Sequence, residues 1–125
     1  MIVLTKADLI LLHDTQILHF GGLAGVKSEA LLESSVNAPF AGFSGLEKYP
    51  TLEEKAAALA YSVIKNHAFN DANKRTGISA MLVFLEINGV EMTHPKTSLE
   101  NLAVDVASNA KGYLELLDFI HSYKS

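Results

Sequence analysis

Apolar residues recur along most of this chain at intervals of three and four, the spacing that gathers side chains on one face of an α-helix. From Thr5 to Phe20 the stripe is Leu9, Leu12, His13, Ile17 and Phe20, and Gly21-Gly22 ends it. Ser28 opens a shorter helix, EALLESSVNA, which stops before Pro39 because the residue preceding a proline avoids the α region. The stretch PFAGFSGLEKYP, Pro39 to Pro50, has no stripe and predicts a loop or a short hairpin carrying Phe40 and Phe43. Thr51 and Glu54 have the spacing of a capping box ahead of LEEKAAALAYSVIKNH, where Ala56, Ala60, Val63, Ile64 and His67 share a face. A second strongly apolar helix runs through ISAMLVFLEIN to Gly89. Both are apolar around most of their circumference, which predicts that they form the central pair. VEMTHP reads as an extended link, and Thr97 with Glu100 as a second capping box before LENLAVDVASNAK. Gly112 then precedes a last amphipathic segment, YLELLDFIHSY. The expected fold is all-α: one domain over residues 1–125, a compact bundle of roughly six helices with at most a small β-hairpin.

Composition narrows the function classes. With 125 residues, 49% apolar and 19% charged, the chain suits one globular core. No apolar run approaches the roughly 20 residues of a membrane span, so no membrane partner is expected. The opening MIVLTKADL lacks the order of regions of a secretory signal, and the absence of cysteine is compatible with a reducing compartment. A cytoplasmic location is therefore expected. A net charge of −4 argues against broad attraction to nucleic acid.

Polar chemistry concentrates in one place, HAFNDANKRTG, His67 to Gly77, which includes Arg75, the only arginine. His67 falls where the first central helix ends, and Asn73, Lys74 and Arg75 where the next begins. A helix start offers unpaired amides and a dipole that favours anions, above all phosphates. Read singly, each residue has an ordinary structural role. His67 closes a helix dipole, Asp71 caps a helix, Asn73 makes a turn, Lys74 and Arg75 form a solvated face, and Phe69 is core. Read jointly, they describe a base (His67), a carboxylate able to hold Mg²⁺ (Asp71) and a cationic phosphate cradle, the parts of a phosphoryl- or nucleotidyl-transfer site. The other histidines, His13, His19, His94 and His121, read as structural or surface residues.

HAFNDANKR resembles the signature of the Fic/Doc family, His-x-Phe-x-(Asp/Glu)-(Gly/Ala)-Asn-(Gly/Lys)-Arg, and matches it at His67, Phe69, Asp71, Ala72, Asn73, Lys74 and Arg75. The Ala72-Asn73-Lys74 variant is similar to the Doc (death on curing) branch. The segments LILLHDTQILHFGG and LLESSVNAPF extend the likeness, more loosely, into the N-terminal half. The resemblance implies a mostly helical fold and transfer from ATP, with Mg²⁺, to a protein hydroxyl. It assigns His67 as general base, Asp71 as metal ligand, and Ala72, Asn73, Lys74 and Arg75 as the phosphate-binding residues, with Phe69 as anchor. It also makes the 39–50 loop a flap that clamps the target.

Two departures from wider family patterns refine this. AMP-transferring members carry a second Arg three residues after the first, where this chain has Ile78. The Doc branch shares that lack and transfers the γ-phosphate of ATP, with elongation factor Tu as target and arrest of translation as outcome. The resemblance therefore implies a protein kinase toxin acting on Ser or Thr. An AMP transferase and a non-catalytic antitoxin-binding module stand as alternatives. The inhibitory pattern (Ser/Thr)-x-x-x-Glu-(Gly/Asn) of self-restrained members is also missing; TSLEN brings Glu100 one position too close to Thr97. Restraint is then expected from a separate Phd-like antitoxin bound as a helix in an apolar groove. Any contact with DNA would be indirect, through the antitoxin.

Overall fold

A computed structural model describes all residues from Met1 to Ser125. Its six helices are α1 (Lys6–Phe20), α2 (Glu29–Asn37), α3 (Leu52–Asn66), α4 (Asn73–Ile87), α5 (Lys96–Ala107) and α6 (Tyr113–Tyr123). The only sheet is a hairpin of β1 (Gly42–Phe43) and β2 (Leu46–Glu47). The expected mainly helical, single-domain fold is what forms. One buried apolar cluster draws on every helix, from Leu9 and Leu32 through Ile64, Met81 and Phe84 to Leu102 and Ile120.

The cause of each boundary is local. Thr5 and Asp8 cap α1 reciprocally: Thr5 Oγ1 accepts from Asp8 N–H (3.2 Å) and Asp8 Oδ2 accepts from Thr5 N–H (2.8 Å). Thr51 and Glu54 do the same for α3. Ser28 caps α2, which runs into a 3-10 turn over Ala38–Phe40 holding Pro39. Between β1 and β2, Ser44 and Gly45 both have positive φ (51° and 79°), the two-residue turn that suits the twist of a hairpin. Lys55 of α3, almost fully buried, pins this hairpin by donating to Glu47 Oε1 (2.8 Å) and to the Tyr49 carbonyl.

Helices α3 and α4 are the central pair. Ala60 and Ile64 of α3 lie against Gly77 of α4, where a β-carbon would stand 2.8 Å from Ile64 Cγ1 and 3.1 Å from the Ala60 carbonyl. α1 and α5 pack on α4, and α2 and α6 on α3. The link after α4 pairs with the chain's end, Thr93 N–H donating to Tyr123 O and Ser125 N–H to Glu91 O.

Three local expectations need correction. The Thr97–Glu100 capping box does not form: α5 starts at Lys96, directly after Pro95, without a side-chain cap. Proline favours a helix start, and its position moves that start two residues earlier than a Thr97 cap requires. Phe20 leaves the buried stripe of α1 and is 63% exposed. His67 leaves the stripe of α3 because the helix ends one residue before it, in left-handed backbone (φ 51°, ψ 48°).

Candidate active site

The loop 67–72 joins the two central helices between two left-handed residues, His67 and Ala72 (φ 60°, ψ 26°). A second loop, after α1, runs beside it. Val26 and Phe69 form a bridge, Lys27 and Ser28 N–H donate to the Ala68 carbonyl (2.8 and 3.0 Å), and Asn70 N–H donates to Gly25 O (3.1 Å). Phe69 is buried beneath, as the anchor the sequence predicts. Asn73 clamps it: its Oδ1 accepts from Phe69 N–H and its Nδ2 donates to Phe69 O, both at 3.1 Å. The Asn73 side chain therefore braces the loop's own backbone, with one Nδ2 hydrogen left over, while the residue itself still lines the depression above.

The polar groups converge above this floor. His67, Asp71, Ala72, Asn73, Lys74 and Arg75 line one depression of about 340 Å³. His67 is exposed there, and so is Asp71. Asp71 Oδ1 accepts from Ala72 N–H (2.8 Å) and Oδ2 from Leu23 N–H (3.2 Å). These bonds, the Ala72 one foremost, hold its carboxyl below the usual carboxylate range, helped by the charges of Arg75 and Lys74. Asp71 is thus not the N-cap of α4; Ala72 is, and it offers no side-chain acceptor. The amides of Asn73, Lys74 and Arg75, at the start of α4, accordingly have no hydrogen-bond partner. Arg75 Nη2 donates to the Gly21 carbonyl (3.1 Å) and its guanidinium lies 5.5 Å from the Phe20 ring centre. That steadies the arginine and leaves most of its five N–H groups free. Lys74 is exposed and carries no ion pair.

No group of three or more His, Cys, Asp or Glu side chains converges to hold a metal. One ionised, exposed carboxylate beside the cations Lys74 and Arg75 is a donor set that fits Mg²⁺, which takes one or two protein carboxylates and fills its remaining positions with other oxygens. Chemically, the arrangement offers a proton acceptor, a hard-cation ligand and an anion site within one turn of each other. The hairpin is not among these groups. Its anchor, Lys55, is twelve residues before His67, about 18 Å along the α3 axis.

Sequence reasoning missed three contributors: His13, the backbone of Gly21 to Leu23, and Phe20 as a platform for Arg75. His13 is buried, stacks on Phe69 (ring centres 4.0 Å apart, planes at 4°) and places Nε2 2.8 Å from the Asp71 carbonyl. A histidine inside an apolar stripe was the available signal. Gly22 is needed for approach, because a β-carbon there would lie 2.7 Å from Asp71 Oδ2.

A family model described as the Fic/DOC family matches residues 3–85, which include α1, α2, α3, the hairpin and the whole of this loop. The chain belongs to the Fic/Doc family. Among curated Fic/Doc relatives, Toxin Doc of Mycolicibacterium smegmatis is 47% identical over 73 residues, 58% of this chain and 56% of that protein. The aligned region therefore spans little more than half the length of that relative. Protein kinase doc of Escherichia phage P1 is 33% identical over 105 residues, 84% of this chain and 82% of that protein. Ile78, one turn past Arg75, is half-buried against the core. It also lines a second, largely apolar cavity of about 450 Å³ between α1, α4 and α5, which shares Lys74 and Arg75 with the first. No helix is long and apolar enough to cross a membrane.

Proposed function

We propose that this chain is the toxin of a toxin–antitoxin pair and a protein kinase that passes the γ-phosphate of ATP to a Ser or Thr hydroxyl, with elongation factor Tu as target. The observation that carries the reading is the convergence of His67, Asp71, Lys74, Arg75 and the uncapped start of α4 on one cavity. The names of the two relatives, a toxin and a protein kinase, support it.

The chain's own groups divide the work. Lys74, Arg75 and the first amides of α4 hold the phosphates, and Asp71 with phosphate oxygens would hold Mg²⁺, whose charge offsets theirs. His67 accepts the proton of the target hydroxyl as its oxygen bonds to the γ-phosphorus. The bond from that phosphorus to the bridging oxygen breaks, and ADP leaves with the electron pair. Ile78 favours phosphate over AMP transfer, because it supplies no second cation to grip a triphosphate in the AMP-transfer orientation and Arg75 is the only arginine.

The partner reading follows from the apolar cavity. A Phd-like antitoxin segment lying there as an amphipathic helix would rest on Phe20, Ile78, Leu82 and Val104 and reach Lys74 and Arg75 with an acidic side chain. Occupying the cavity would then deny those cations to phosphates. Contact with DNA belongs to the antitoxin in this scheme, and the target belongs over the hairpin side, where Phe43 and Leu46 stand exposed.

The test uses the purified chain, Mg²⁺, and ATP labelled at either the γ- or the α-phosphate, with a bacterial lysate and then purified elongation factor Tu. Transfer of γ-label to that factor is the expected result. Transfer of α-label makes the chain an AMP transferase, and transfer of neither leaves a binding module.

A further inference from the structure

We infer that His13 is a positioning residue for the reaction, holding Asp71 in the orientation in which it binds the metal; this rests on the reading of Asp71 as the Mg²⁺ ligand. The geometry runs through one peptide unit, the bond between Asp71 and Ala72. The carbonyl of that unit sits 2.8 Å from His13 Nε2, and its N–H donates to Asp71's own Oδ1 at 2.8 Å. A carbonyl only accepts, so Nε2 carries the proton and His13 is the donor. Rotation of this peptide plane would swing the Ala72 N–H away from the carboxylate. It would also disturb the left-handed backbone of Ala72, from which α4 starts.

The remaining contacts of His13 explain why the ring holds still. It is 1% exposed on α1 and lies flat against Phe69, whose backbone Asn73 clamps from the other side. Asp14 faces the other ring nitrogen, with Oδ1 3.8 Å from Nδ1, beyond hydrogen-bond length. The result is a relay across 58 residues of sequence, from α1 to the carboxylate, made of one ring and one peptide. A ring without a donor would fill the same space and leave the Asp71 carbonyl unheld. Side chains that orient a metal ligand in this way are recognised by what their loss does to metal affinity.

The test compares ATP binding with and without Mg²⁺ by calorimetry, for the full chain and three variants, each below its own melting temperature. Asp71→Asn should abolish the gain in affinity that Mg²⁺ brings. His13→Phe keeps the stack and loses the donor; it should leave Mg²⁺-free binding to Lys74 and Arg75 unchanged and cut the Mg²⁺ gain by about tenfold or more. His13→Gln keeps a donor and should retain most of the gain, so either His13 variant decides the matter if the other fails to fold. Loss of protection of the Ala72 amide against hydrogen exchange should accompany the Phe variant alone. A full Mg²⁺ gain in His13→Phe, with Asp71→Asn inactive, would overturn the inference and leave the Asp71 reading standing. A full gain in Asp71→Asn would overturn both.

Discussion

His67 closes α3 in left-handed backbone, which costs a residue bearing a β-carbon about 1–2 kcal/mol relative to the right-handed form. The side chain recovers none of this through a hydrogen bond, being exposed and unpaired. Backbone strain kept at an exposed polar residue in a cavity is what a functional position looks like. His67→Gly should therefore separate the two roles. Glycine relieves the left-handed strain, and the flexibility it adds to the unfolded chain offsets roughly 0.5–1 kcal/mol of that gain. The variant should melt no lower than the parent while losing label transfer by about 10²–10⁴-fold. A melting temperature several degrees lower, with transfer retained, would make His67 a structural cap. At this scale the sequence revealed the exposed groups well, because His67, Asp71, Lys74 and Arg75 are near neighbours along the chain. It hid what supports them. The clamp of the Asn73 amide on Phe69 cannot be read from the motif, and His13 becomes part of the site only when the fold brings α1 against the loop.

Between elements, boundaries were legible wherever one residue decides them. Thr5, Ser28 and Thr51 all accept from the backbone three residues on, as their position ahead of an apolar stripe suggests. Thr97 carries the same pattern and does not cap, because Pro95 has already set the start of α5. A pattern of Thr and Glu three apart cannot tell a cap from the first turn of a helix begun earlier. The contrast predicts unequal losses. Thr51→Ala should cost about 1 kcal/mol, on the order of 3–5 °C in melting temperature for a chain of this size. Thr97→Ala should stay within about 0.5 kcal/mol of the parent, since an exposed helical position gains propensity from alanine. Thermal melts of the two variants side by side check this, and equal losses would mean that Thr97 does cap α5. The close pairing of α3 and α4 was foreseeable from their alanines. The single contact that permits it, Gly77 against Ile64 and the Ala60 carbonyl, was not, because a glycine in a helix gives no sign of what approaches it.

For the whole molecule, the deciding feature is that two cavities share one edge. The depression holding His67 and Asp71 and the apolar cavity between α1, α4 and α5 meet at Lys74 and Arg75. A partner seated in the second cavity would thus act on the first from the side, through Lys74 and Arg75, without touching His67. Such a partner must present apolar residues to the cavity and a carboxylate to the shared cations, and its binding should weaken with salt only as far as that charge pairing contributes. Val104 tests the apolar part. It lines the cavity on α5, is 54% exposed and is not among the residues that line the depression with His67 and Asp71. Val104→Glu sets a charge against the apolar side of the partner and removes apolar contact. The variant should fold and transfer phosphate like the parent, as exposed substitutions usually shift stability by less than about 0.5 kcal/mol. Its affinity for an antitoxin encoded beside it should fall by about tenfold or more, a loss of roughly 1.4 kcal/mol. In cells, growth arrest by Val104→Glu should persist at antitoxin levels that silence the parent. Undiminished affinity, measured by titration with the purified antitoxin, would move the partner off this cavity and leave the shared edge without a regulatory part.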